Sequence, residues 1–154
     1  MKNLLFAVFL SFVICGCDKE ETIDIALEYI MCPCEHETEI YEYPFLAENM
    51  LLFDAAKTSL VDMKKISFDS KDGGSRFIKI DYEYNQATCI SIHGTMESYG
   101  YICNFPGTFN WHIPSKGLRV SCYGDVFDTC EPKYGIAIYS YSNIVLTSLK
   151  LHIK

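Results

Sequence analysis

Leu118-Arg119-Val120-Ser121-Cys122-Tyr123-Gly124-Asp125-Val126-Phe127 alternates apolar and polar side chains along nearly its whole length. Successive side chains of a strand point to opposite faces. Leu118, Val120, Cys122 and Val126 therefore share one face, and Arg119, Ser121, Tyr123 and Asp125 share the other. Such a strand must bury its apolar face against other strands. Its neighbours in sequence supply them. Residues 77–84 and 88–93 flank Asn85-Gln86 and read as a β-hairpin, in which Tyr82 and Tyr84 continue the face of Ile78 and Ile80 and are expected in the core. Residues 50–53 and 99–105 read as further strands, and residues 23–31 alternate with a strand period, although Ile23, Ala26, Leu27 and Ile30 would also suit a helix. Residues 134–141 and 144–153 read as a terminal hairpin whose last strand changes face near Ser148, as strands do when they bulge or coil round a barrel. One stretch, 55–65, reads as a helix of about three turns with Leu60, Val61 and Met63 as its apolar contacts. The many Tyr, Ile and Val residues favour strands. The expectation is an all-β chain: a small antiparallel barrel or a sandwich of about seven or eight strands, with at most one short helix.

The N-terminus carries a different signal. Lys2 precedes an apolar run at 4–14, interrupted by Ser11 alone, which is too short for the ~20 residues a membrane-spanning helix needs. Ile14-Cys15-Gly16-Cys17 then resembles the lipobox of bacterial lipoproteins. The resemblance implies a signal peptide at 1–16, acylation of Cys17, a lipidated tether at 17–22 and a single β domain at 23–154. It also implies that the lipid bilayer is a partner, held by several acyl chains because one chain binds only marginally. An ordinary cleaved signal without lipid is the plainer alternative. Lys19-Glu20-Glu21 is similar to the export signal of Bacteroidetes surface lipoproteins, which implies a cell-envelope, outer-membrane protein facing outward.

The chain is acidic, with 13 Lys and Arg against 20 Asp and Glu and a formal charge of −7. Removing the leader takes away Lys2 and no acid, so the remaining chain is one unit more negative. A nucleic-acid partner is not expected, because phosphates would be repelled and no basic cluster offsets the repulsion. Six cysteines follow Cys17: Cys32, Cys34, Cys89, Cys103, Cys122 and Cys130. In an oxidising compartment an even count reads as disulfides. Cys32 and Cys34 are too close in extended chain to bridge each other without strain, so each is expected to reach Cys103 or Cys130. Cys89 and Cys122, both within strands, are left as a cross-strand pair. Cys32, Cys34 and His36 have a spacing that zinc could use, but exported sulfur and the lack of a second Cys-x₂-Cys pair favour disulfides, and no metal or cofactor is expected.

Enzyme signatures are missing from the sequence. The four histidines, His36, His93, His112 and His152, accompany no Gly-x-Ser-x-Gly elbow and no His-Glu-x-x-His helix. Asp69-Ser70-Lys71-Asp72-Gly73-Gly74 is a turn rather than a calcium loop, since Lys71 and Ile80 stand where oxygen ligands belong. Aromatic side chains are the better binding candidates. Tyr99 and Tyr101 share a strand face, Tyr139 and Tyr141 lie on another strand, and Trp111 and His112 occupy a loop bounded by Pro106 and Pro114. Flat rings with polar neighbours suit a glycan or a protein surface. For Trp111, plugging a barrel end is the plainer role.

Val120 to Val126 resembles the valine–glycine–valine strand of OB-like barrels. More widely, Cys32-Pro33-Cys34-Glu35, Ile102-Cys103-Asn104-Phe105-Pro106, the 111–117 segment and Ile144-Val145-Leu146-Thr147-Ser148 resemble a group of small uncharacterised Bacteroidetes surface lipoproteins. The resemblance covers most of the chain after the leader and implies no activity. Three functions are therefore in contention. First is a non-catalytic, membrane-anchored binding module for a glycan or protein. Second is a structural accessory subunit of an envelope complex. Third is an enzyme with a dispersed site.

Overall fold

The computed structural model describes residues 20–28, 43–67, 74–107, 112–128 and 139–153. Its elements are β1 (Glu21–Asp24), β2 (Tyr43–Asp54), α1 (Leu60–Ser67), β3 (Gly74–Asp81), β4 (Gln86–His93), β5 (Met96–Ile102), β6 (Leu118–Asp128) and β7 (Tyr139–Ile153). The sheet order is β1-β7-β5-β4-β3-β2-β6, and β6 also pairs with β7. Strands β2 to β7 thus close on themselves as a six-stranded barrel, with β1 added outside the ring. Closure removes the open edges that a sandwich would keep. The barrel is not purely antiparallel. β2 runs parallel to β3, with α1 in the crossover, and β5 runs parallel to β7.

Two apolar layers hold this sheet. Leu52, Ile78, Cys89, Val120, Cys122, Ile144 and Leu149 fill the barrel interior. On the outer face, Phe53, Met63, Phe77, Ile90 and Ile92 form a second cluster, with Phe53 and Phe77 packed edge to face at 5.7 Å. Neighbours Leu52 and Phe53, and likewise Phe77 and Ile78, are all fully buried because β2 and β3 are covered on both sides. Each such large side chain contributes about 1.5–3 kcal/mol on burial.

The helix starts at Ser59. Its Oγ accepts from the Asp62 backbone N–H at 3.2 Å and donates to the Asp62 carboxylate at 2.6 Å, a reciprocal cap of the Ser-x-x-Asp type. This cap sets the start later than residue 55. Met63 carries the contact to the sheet, with Ile66 beside it. Leu60 and Val61, expected to pack, are 40% and 62% exposed, on the solvent side of a helix only eight residues long.

Two other expectations are corrected. The β3–β4 hairpin is present, but β3 ends at Asp81 and residues 82–85 make the turn. Tyr82 and Tyr84 therefore leave the strand face and are 43% and 72% exposed rather than core. The C-terminal segment is one strand of 15 residues rather than a hairpin, so far as residues 139–153 show. Its first part pairs with β5 and its last part with β1 along one edge, while β6 runs along the other. The change of face near Ser148 is a bulge. Tyr123 pairs with Ser148 and Gly124 with Leu146, which leaves Thr147 extra.

Gly124 is what lets β6 approach that bulge. A Cβ at this position would lie 2.3 Å from the Val145 carbonyl oxygen and 2.9 Å from the Leu146 Cα, both backbone atoms that cannot swing away. Gly124→Ala should therefore lower stability by about 1–3 kcal/mol, the usual cost of overpacking. Thermal melting of the variant checks this. An unchanged midpoint would mean that β6 and β7 are not in register at this point.

Candidate functional site

A second bulge, in β2, borders a concavity open to solvent. Ala47 pairs with Cys122 and Met50 with Val120, so Glu48 and Asn49 together oppose Ser121 alone. Asn49 takes the extra turn with φ 56°, a left-handed conformation that asparagine tolerates better than most residues. Its N–H donates to Ser121 Oγ at 3.3 Å, and the Ser121 hydroxyl shares a 2.8 Å hydrogen bond with His152 Nε2. The bulge turns Glu48 and Asn49 toward solvent. Beside them opens a groove of about 490 Å³, bounded by β2, the starts of β3 and β6, the end of β4 and the last turn of α1. This volume lies within the range of small-molecule sites.

The groove differs in charge from the rest of the chain. Among the described residues its charged lining is Arg76, Arg119 and Glu48, with His93 alongside. These are the chain's two arginines, in a protein of net charge −7. Arg76 lies 5.7 Å above the Phe45 ring and donates to Ser91 Oγ at 3.0 Å and to the Leu46 carbonyl at 3.3 Å. Among the described residues no carboxylate pairs with it. Arg119 has one: it donates to Glu20 Oε1 at 2.9 Å. That hydrogen bond holds the Glu20 carboxyl below its ordinary pKa, with His152 adding a smaller pull from 3.5 Å. The Glu48 carboxylate accepts from the Tyr123 hydroxyl at 3.1 Å, which pushes the Tyr123 phenol up. The Ser67 and Ser75 hydroxyls, also in the lining, are buried without a hydrogen-bond partner. His93 stacks close over Gly74, where a Cβ would meet its ring at 2.8 Å.

The residues singled out from the sequence do not converge on this groove. Tyr99 is half-buried, packs against the cluster under α1 and donates its hydroxyl to Glu97, which also pairs with Lys64. Tyr101 is half-buried two positions along β5, and His112 is exposed. None of the three lines the groove. Tyr139 and Tyr141 lie on β7 opposite Glu97 and Tyr99, with side chains outside the description. Trp111, Cys17, Cys32, Cys34, Cys130 and His36 lie outside the described residues. Arg76 was legible only as one of two arginines. Ser67, Ser75 and His93 carried no sequence signal that set them apart.

The cross-strand disulfide expected of Cys89 and Cys122 is not made: both are buried free thiols. Their strands, β4 and β6, are separated by β3 and β2 in the sheet, and both side chains face the barrel interior rather than a neighbouring strand. Cys103 is disulfide-bonded. No group of three or more His, Cys, Asp or Glu side chains able to hold a metal occurs among the described residues.

Burial pushes the Cys89 thiol up to about 11 and the Cys122 thiol up to about 12, from an ordinary 9.0. In both cases the uncharged thiol is favoured in the folded chain. Their contribution to stability is thus complete below pH 9 and is lost as the pH rises through 11 and 12. Both thiols should resist a thiol-specific reagent at pH 8 in the native chain and react once it is unfolded, and the denaturation midpoint should fall above pH 9. Rapid labelling of the native chain at both positions would show the interior to be open.

Comparison of the chain with protein-family models, curated proteins and solved structures finds no match.

Proposed function

We propose that this chain is a lipid-anchored cell-surface protein that binds a ligand in the groove beside the β2 bulge and has no catalysis of its own. One observation carries the binding half of the reading: a groove of about 490 Å³ that gathers the chain's only two arginines. The Ser67 and Ser75 hydroxyls are closed to solvent, so a ligand in the groove meets the exposed Arg76, Arg119, Glu48 and Asn49 side chains, whose meeting at one concavity supports binding. Binding is favoured over hydrolysis because Ser67 and Ser75 have no hydrogen-bonded base, although His93 shares the lining. The anchoring half rests on the Ile14-Cys15-Gly16-Cys17 motif. It implies an outer-membrane lipoprotein with its barrel outside the cytoplasm.

Each half has its own test. Cys17→Ser should move the chain from the membrane fraction to the soluble fraction of the envelope, and mass spectrometry of the parent chain should find acyl chains on Cys17. Leu46, 56% exposed at the groove rim, can be enlarged without disturbing the core. On an array of glycans and peptides the parent chain should retain a ligand that Leu46→Trp loses, with no change in melting temperature. Ligand retained equally by both chains would place the binding elsewhere.

A further inference from the structure

Resting on the reading of the groove as a binding site, we infer that its ligand carries a single carboxylate on a small polyhydroxylated body, as a uronic acid does, and that Arg76 is the anchor. Four observations combine. The chain places lysine at every other cationic position and arginine at 76 and 119 alone, and both line one groove. Arginine presents a planar fork that matches a carboxylate with two parallel hydrogen bonds, which lysine cannot do. Arg119 already holds a carboxylate, that of Glu20 at 2.9 Å, so this groove demonstrates the chemistry with a resident acid. Arg76 is held in place by Ser91, the Leu46 carbonyl and the Phe45 ring, none of which neutralises it, and its guanidinium still has donors to offer.

The remaining lining sets the rest of the ligand. The exposed Asn49 side chain offers an amide and the exposed Glu48 a carboxylate. An amide and a carboxylate suit the alcohol groups of a sugar. Glu48 in the lining and the net charge of −7 disfavour a doubly charged ligand, so a carboxylate fits better than a phosphate. Among the described residues no Phe, Tyr or Trp side chain lines the groove for a neutral sugar to stack on, and the Phe45 ring beneath Arg76 is buried.

The test uses the full chain in detergent micelles, titrated with sodium glucuronate, glucose and inorganic phosphate and followed by calorimetry. Glucuronate should bind saturably, glucose should bind at least about tenfold more weakly, and added salt should weaken glucuronate alone. Arg76→Gln should weaken glucuronate about tenfold or more, and Arg119→Gln should weaken it less, because Glu20 already engages that side chain. Arg76→Lys should fall between, and the melting temperature of each variant reports its fold. Equal affinity for glucose, or indifference to Arg76→Gln in a folded chain, would overturn the carboxylate assignment and leave the groove a binding site. Phosphate binding tighter than glucuronate would overturn it in favour of a phosphate ligand. Saturation by none of the probes would overturn it too. The reading of the groove as a binding site stands or falls separately, on whether Leu46→Trp abolishes capture from the array.

Discussion

The hydrogen-bond ladder along β7 is the constraint on which the barrel depends. Fifteen residues of one strand serve three partners: β6 on one edge, β5 and then β1 on the other. Without β7 the remaining strands would form an open sheet with unpaired edges at β5 and β6, and an open edge exposes backbone groups to water and to other chains. The Thr147 bulge lets this long strand keep both ladders as it bends, and Gly124 lets β6 follow it. Asn104 extends the same seam past the end of β5. Its side-chain amide donates to the Leu146 and Glu28 carbonyls, and its oxygen accepts from the Leu146 N–H, so one buried residue ties β7 to the segment after β1.

Packing follows from closure. Once the strands close, the interior admits only side chains that fit around one another. Gly100 illustrates this, since a Cβ there would meet Ile144 Cδ1 at 2.4 Å. The outer face of β2, β3 and β4 is apolar as well and needs a cover, and the short helix in the β2–β3 crossover provides it. A parallel pair of strands requires a long connection in any case. The same connection therefore satisfies topology and burial together. It also brings the end of α1 to the rim of the groove, where Ile66 and Ser67 form one wall.

How much of this was legible depended on how local each signal was. The alternation from Leu118 to Val126 identified β6, and Asn85-Gln86 located the hairpin turn, because both are properties of adjacent residues. β2 was seen only at residues 50–53. Pro44 and the two-residue bulge at Glu48 and Asn49 interrupt its period, and only pairing with Ser121 shows that the strand continues. Ser142 and Asn143 read as the turn of a hairpin, yet partners on both edges keep them extended in β7. Cys89 and Cys122 were paired by counting, whereas the sheet order places two strands between theirs. The groove was not legible at all, since its walls come from five elements whose meeting is set by closure.

The placement of Glu20 has a spatial corollary. It stands at the threshold of β1, bonded to Arg119 on the groove wall. Three residue steps separate it from Cys17, about 10 Å when fully extended. An acylated chain would thus hold the mouth of its groove almost against the headgroups, with little clearance beneath the barrel. On the proposed reading of the groove, compact solutes moving along the bilayer surface would reach Arg76 directly, whereas bulky polymers would have to thread an end into the gap.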